Sequence, residues 1–209
     1  MKGFKIEMTG KMPYLMSTQV PADGTRPEVQ ELKALQRMQE QKKTPEIYKK
    51  IADIEWDPNL HLKDGQVVIP AMNLKQAIVS VAREEKKGTL VERYVSFDRF
   101  YFPLEHEGPK DIKELKADDR FRDTRLANHG KSQGKICMVL QTRPIFYAWK
   151  CTAFLLVNDE KIDPKDFERW IHALGRFYGL GAYRDLYGRF DAKVSEVATE
   201  GCGRLKAAA

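Results

Sequence analysis

The chain has 209 residues, 42% hydrophobic and 32% charged, with 36 Lys and Arg against 30 Asp and Glu for a formal net charge of +6. That apolar share is enough for a packed core, no run is long and apolar enough to span a membrane, and the three cysteines (Cys137, Cys151, Cys202) form no CxxC or Cys/His pair at ligand spacing. A disulfide framework and a zinc site are therefore disfavoured, a reducing cytoplasm fits, and the basic balance points to an anionic partner, of which nucleic acid is the commonest.

Lys2 to Met8 reads as a strand, with Phe4, Ile6 and Met8 on one face and Lys5 and Glu7 on the other. The stretch MKGFKIEMTGKMPYLM is interrupted by Pro13 and lacks a signal-peptide core. Gly10 to Arg26 reads as a loop. Glu28 to Glu40 reads as a helix, and a second helix opens at Pro45 behind Thr44 as N-cap. Together they predict a charged helical hairpin over residues 28–56 with narrow apolar stripes. Gly65 to Pro70 reads as a short strand. From Asn73 a helix presents Leu74, Ala77, Ile78, Val81 and Ala82, with Gly88 as its stop. Leu90 to Pro103 looks extended.

Residues 106–135 are polar, contain Gly108-Pro109, Gly130 and Gly134, and read as an exposed, mobile excursion. From Arg120 to Lys135 five basic residues (Arg120, Arg122, Arg125, Lys131, Lys135) face one acid, Asp123. Ile136 to Thr142 and Trp149 to Val157 read as strands joined through Arg143-Pro144. A helix begins at Pro164 with Asp163 as N-cap, and Phe167, Trp170, Ile171, Leu174 and Tyr178 form its buried stripe. Arg189 to Val194 closes the pattern as a strand.

Strand, helix, strand, repeated once, predicts an α+β, ferredoxin-like antiparallel sheet with two core helices. The helical hairpin and the basic, thumb-like excursion are its two insertions. Residues 1–200 make a single domain on this reading, with a tail over 201–209.

No GxxxxGK[ST] is present, and Gly179-Leu180-Gly181 follows a helix and precedes a strand, the reverse of a dinucleotide fingerprint. The four histidines (His61, His106, His129, His172) form no metal motif, Asp118-Asp119 has no third ligand beside it, and no cofactor is expected. His129 and His172 are the candidates for acid–base work on RNA. Single-strand binding needs cations beside stacking faces, and GRFYGLGAYRDLYGRF (175–190) supplies both. In this stretch Gly179, Gly181 and Gly188 would let backbone N–H groups approach phosphates, Arg184 and Arg189 would bring charge, and Tyr183 would stack. Phe177, Tyr178 and Phe190 read as core. Lys75, at the start of the first core helix, and Arg143, at a strand corner, are further candidate contacts.

Helix, GLGAYRDLYGRF and closing strand together resemble the glycine-rich loop of the RAMP superfamily, the ferredoxin-like RNA-binding proteins of CRISPR systems. IPAMNLKQAI (69–78) is similar to the IPGSSLKGAL segment of their effector-backbone subunits, with Ala71-Met72-Asn73 in place of Gly-Ser-Ser. The chain also resembles a family of phage and prophage proteins, through Tyr14-Leu15-Met16-Ser17, QTRPIFYAW (141–149) and GLGAYRDLYGRF (179–190). The resemblance implies non-catalytic binding of single-stranded RNA or DNA in the cytoplasm of a bacterial host. It implies several copies along the strand, or a place in a larger nucleoprotein complex, with the 106–135 excursion as thumb. The other expectations are a metal-independent endoribonuclease and a phage assembly or host-complex-interacting protein.

Overall fold

The computed structural model describes residues 1–18, 24–132 and 135–198, with the backbone alone for residues 40, 127–132 and 135–139. The expected tail over 201–209 lies outside the described residues. The chain divides into two compact units. One comprises residues 1–14, 62–107 and 146–209, the other residues 15–61 and 108–145.

The first unit is built on a sheet whose central strand is β1 (Lys2–Gly10). β1 pairs antiparallel with β9 (Trp149–Val157) on one edge and β10 (Phe190–Val197) on the other. β9 in turn pairs with β5 (Val95–Phe97) and β6 (Tyr101–His106), and β4 (Gln66–Pro70) and β3 (Leu62–Lys63) extend the sheet beyond β6. Counting core strands as β1, β6, β9 and β10, the order β10–β1–β9–β6 is the fourth-first-third-second arrangement of a ferredoxin-like fold. Two helices complete it, α3 (Ala71–Glu84) and α6 (Pro164–Ala173).

Period-two alternation puts Phe4, Ile6 and Met8 of β1 and Cys151, Ala153 and Leu155 of β9 into the core. Leu74, Ala77, Ile78 and Val81 recur at helical spacing on α3, and Phe167, Trp170 and Ile171 on α6, and all are buried. The Phe4 and Phe167 rings lie 5.0 Å apart, tying α6 to β1. Each such fully buried side chain stabilises by roughly 1.5–3 kcal/mol. Asp163 caps α6, its carboxylate accepting from the Lys165 N–H at 2.8 Å.

Leu90–Pro103, expected to be extended, begins instead as a helix, α4 (Gly88–Tyr94), before β5 and β6. Gly88 opens α4 rather than stopping α3. The reversal between them is made by Lys86 at φ 59°. Lys87 then donates to Asp166 at 2.5 Å and lies 5.7 Å over the Trp170 ring, fastening this turn to α6.

The second unit contains the helical hairpin, α1 (Pro27–Arg37) and α2 (Pro45–Asn59), with Thr44 at the N-cap of α2 accepting through its carbonyl from Ile47 and Tyr48 but making no side-chain cap hydrogen bond. The excursion is no loop. It holds α5 (Ile112–Ala117) and a long ribbon in which β7 (Arg122–Ser132) pairs with β8 (Lys135–Phe146). A two-residue strand, β2 (Tyr14–Leu15), flanks β8 on the other side. Trp56, wholly buried, donates its indole N–H to the Phe121 carbonyl at 2.9 Å. The Glu55 carboxylate, 5% exposed, accepts from the Thr142 N–H at 2.8 Å and from Gln36 at 3.0 Å, joining both hairpin helices to β8.

Burial pushes the Glu55 carboxyl from an ordinary 4.5 up to about 7, against the pull of these hydrogen bonds and of Arg143. Between those values the folded chain binds the proton more tightly than the unfolded one. Glu55 therefore favours the fold fully below pH 4.5, and that contribution is lost as pH rises through about 7. Glu55→Gln keeps the size and an acceptor oxygen. Its stability relative to the parent is expected to rise by about 2 kcal/mol between pH 5 and pH 8 in urea unfolding. An equal difference at both pH values would show that Glu55 does not hold its proton in the fold.

Candidate nucleic-acid interface

The glycine-rich segment belongs to the first unit and joins α6 to β10. After α6, Leu174–Tyr178 widens into a π turn, and Gly179 at φ 73° ends it by donating its N–H to the Leu174 carbonyl at 2.7 Å. Gly175 is packed so closely on the Phe190 carbonyl that a Cβ would overlap it. Phe190 is core as expected and Tyr178 is half-buried, but Phe177 is 61% exposed.

The base of the loop is closed by backbone hydrogen bonds. Gly188, at φ 68°, donates to the Pro13 carbonyl at 2.7 Å and accepts from the Leu180 N–H at 3.0 Å. The Arg189 carbonyl accepts from the Lys11 and Met12 N–H groups at 2.8 and 3.1 Å. The N–H groups of Gly179 and Gly188 are therefore internal, and both glycines serve close backbone approach rather than presentation to a phosphate.

The tip differs. Tyr183, at φ 50°, accepts from the N–H groups of Leu186 and Tyr187 at 3.0 and 2.9 Å, which sets a tight turn. The N–H groups of Gly181, Ala182, Arg184 and Asp185 have no acceptor among the described residues. φ is 83° at Gly181 and again positive at Tyr183, and alternation of hand of this kind turns successive N–H groups toward one concavity. The Arg184 side chain is exposed and has no carboxylate partner among the described residues. Tyr183 and Leu186, 39% and 63% exposed, flank it in sequence. Arg189 is held back, its guanidinium donating to the Asp185 carbonyl at 2.6 Å.

Lys75 lies on the first turns of α3 in the same unit, half-buried and without an anionic partner among the described residues. Arg120, Arg122, Arg125, Lys131 and Arg143 belong to the second unit. Arg120 is paired with Asp118 at 2.6 Å, Arg122 with Asp53 at 2.7 Å, and Arg125 with Asp123 at 2.5 Å. Arg143, expected at a strand corner, lies inside β8, which runs on through Pro144 to Phe146, and it donates to Gln141 at 2.6 Å. The side chain of Lys131 lies outside the described residues. Three of the cations expected to line a basic thumb, Arg120, Arg122 and Arg125, thus carry carboxylates of their own, two of them only two residues away in sequence.

Other chemistry finds little support. Among the described residues no cluster of three or more His, Cys, Asp or Glu is arranged to hold a metal. Asp118 is a cap, accepting from the Arg120 N–H at 3.0 Å. Burial pushes the Cys151 thiol up to about 12, so it is no nucleophile. His172 is exposed, 3.6 Å from Glu168, and the side chain of His129 lies outside the described residues. No described helix is long and apolar enough to cross a membrane.

The sequence reading passed over Lys11 and Arg176. With His172 and Arg189 they line an open groove of about 620 Å³ beside the loop. The available signal was the helical phase: Arg176 follows Leu174 by two positions, which puts it off the apolar stripe.

No family model matches the chain, and no curated protein sequence matches it. Among solved structures, a chain of the cryo-EM structure of the Type III-B Cmr-beta bound to cognate target RNA matches with a TM-score of 0.45 and 16% identity. The match covers 94% of this chain, and this chain spans 60% of the length of that one.

If close approach is what Gly188 provides, a methyl there meets the Leu180 backbone in addition to an unfavourable φ. Gly188→Ala is expected to cost about 3 kcal/mol, whereas Gly65→Ala, at φ 74° with open space around it, costs about 1 kcal/mol. Equal losses in thermal or urea unfolding would mean that backbone conformation alone, not proximity, requires glycine in the loop.

Proposed function

We propose that this chain is a phage-type, non-catalytic protein that binds single-stranded nucleic acid through the tip of the 179–189 loop, working in the cytoplasm of a bacterial host. In this reading several copies assemble along the strand, or the chain serves as one subunit of a larger nucleoprotein complex. The observation that carries it is the tip itself, where four backbone N–H groups with no acceptor among the described residues sit beside the exposed Arg184, which has no carboxylate partner among them either. N–H groups and a guanidinium together suit phosphate oxygens, and Tyr183 and Leu186 offer faces against which bases can stack. The ferredoxin-like order supports the reading as well, since the loop stands between the second core helix and the closing strand, its place in the RAMP family the sequence resembles. The RNA held by the Cmr complex is consistent with RNA as the strand. Lys75 and the cations of the second unit enter the proposal as secondary contacts, engaged where a phosphate displaces or shares their carboxylates.

Fluorescence anisotropy with labelled oligo(U) and oligo(dT) tests this reading. Binding is expected to weaken steeply with salt, because each neutralised phosphate releases counterions. Arg184→Ala is expected to lower affinity about fivefold for all sequences alike and to reduce the salt slope by about 0.7. Salt-independent binding, or an unchanged Arg184→Ala, sinks the loop assignment. Labelled RNA is expected to stay intact on incubation. Cleavage that disappears in His172→Ala or His129→Ala would replace this reading with an endoribonuclease.

A further inference from the structure

The groove beside the loop has features that strand binding by the tip does not use. Its wall is made by three separate segments, the end of β1 (Lys11), the π turn (Arg176) and the start of β10 (Arg189). Each brings a cation. Lys11 is paired at 3.0 Å with Asp191, a carboxylate that also lines the groove, both side chains being well exposed so that an incoming phosphate can compete for the lysine. Arg176 is exposed and packs on the Phe177 ring at 5.3 Å, with no carboxylate among the described residues.

Arg189 adds a second kind of observation. Its Nε is buried yet has no hydrogen-bond partner among the described residues, although a terminal nitrogen donates to the Asp185 carbonyl. A buried guanidinium donor without an acceptor is costly, and native structures leave few of them. The backbone around it cannot easily relax, since the Arg189 carbonyl is held by Lys11 and Met12 and Gly175 is packed against Phe190. The π turn swings Arg176 off the helical phase toward the same groove, and turns of this type are frequent at functional sites.

We infer that this groove is a phosphate-binding site. Cations approaching from three segments suit a tetrahedral group with several oxygens better than a planar carboxylate with two. His172 on the rim would add a fourth donor through a ring N–H. The inference goes beyond the loop reading and does not need the tip to bind anything. The phosphate comes either from the backbone of a bound strand or from a free nucleotide, and the two sources share this chemistry.

Isothermal titration with inorganic pyrophosphate is the direct test. Saturable binding at sub-millimolar concentration is expected, weakened about tenfold or more in Arg176→Ala. Because Arg176 is exposed, its loss should leave the circular dichroism spectrum and thermal midpoint in place, and Arg176→Lys should recover part of the affinity. No saturable binding, or equal binding by wild type and Arg176→Ala, overturns the site. Competition with a labelled oligo(U) strand separates the sources. Displacement assigns the groove to a strand phosphate, and simultaneous binding assigns it to a free nucleotide; either leaves the site standing. Pyrophosphate binding with no strand binding at all would remove the proposed function while keeping the groove.

Discussion

β1 is hydrogen-bonded along both edges, yet both of its partners lie more than a hundred residues away in the chain. Everything in the first unit follows from that. The alternating Phe4, Ile6 and Met8 have a face to bury only once β9 and β10 arrive, and the helices α3 and α6 pack against the layer so formed. The end of β1 then supplies the Pro13 carbonyl and the Lys11 and Met12 N–H groups that close the 179–189 loop. A central strand made of the first residues makes long-range contacts unavoidable, and closing such loops is what slows folding in sheets of this kind.

The candidate arginines of the two units differ in how their charge is held. In the second, Arg120 and Arg125 each sit two residues from an aspartate that holds the guanidinium, and Arg122 is tied to Asp53 on α2. Local pairs of this sort add little stability when exposed, but they cancel the field that a basic stripe would otherwise project. In the first unit Arg184 and Arg176 carry no such partner among the described residues. A net charge of +6 therefore says less about where an anion would settle than does the distribution of carboxylates around individual arginines.

Much of the first unit was legible in the sequence because its signals are local and strong. Alternation marked β1, the i, i+3, i+4 spacing marked α3, and Asp163-Pro164 marked the start of α6. The chain order of these elements gave the ferredoxin-like plan. Of the β7–β8 ribbon only β8 was legible, from Ile136 to Thr142; β7 was not, since Gly130, Gly134 and a run of polar residues imitate a loop, and a two-stranded ribbon needs no continuous apolar face. α4 is only seven residues long and begins with a glycine that reads as a stop signal. The loop was found, but the use of its glycines was not. Gly179 and Gly188 are required by how near one backbone comes to another, and proximity between distant segments leaves no periodic trace.

The hydrogen bond from Gly188 to Pro13 joins the last fifth of the chain to its opening residues. A chain still emerging from the ribosome has the first residue of that pair long before the second. During synthesis the tip has no fixed shape, and the groove beside it, which needs Lys11 and Arg189 together, does not yet exist. Both surfaces come into being only with the closing strand. Neither surface can therefore take its shape before Gly188 and Arg189 have left the ribosome.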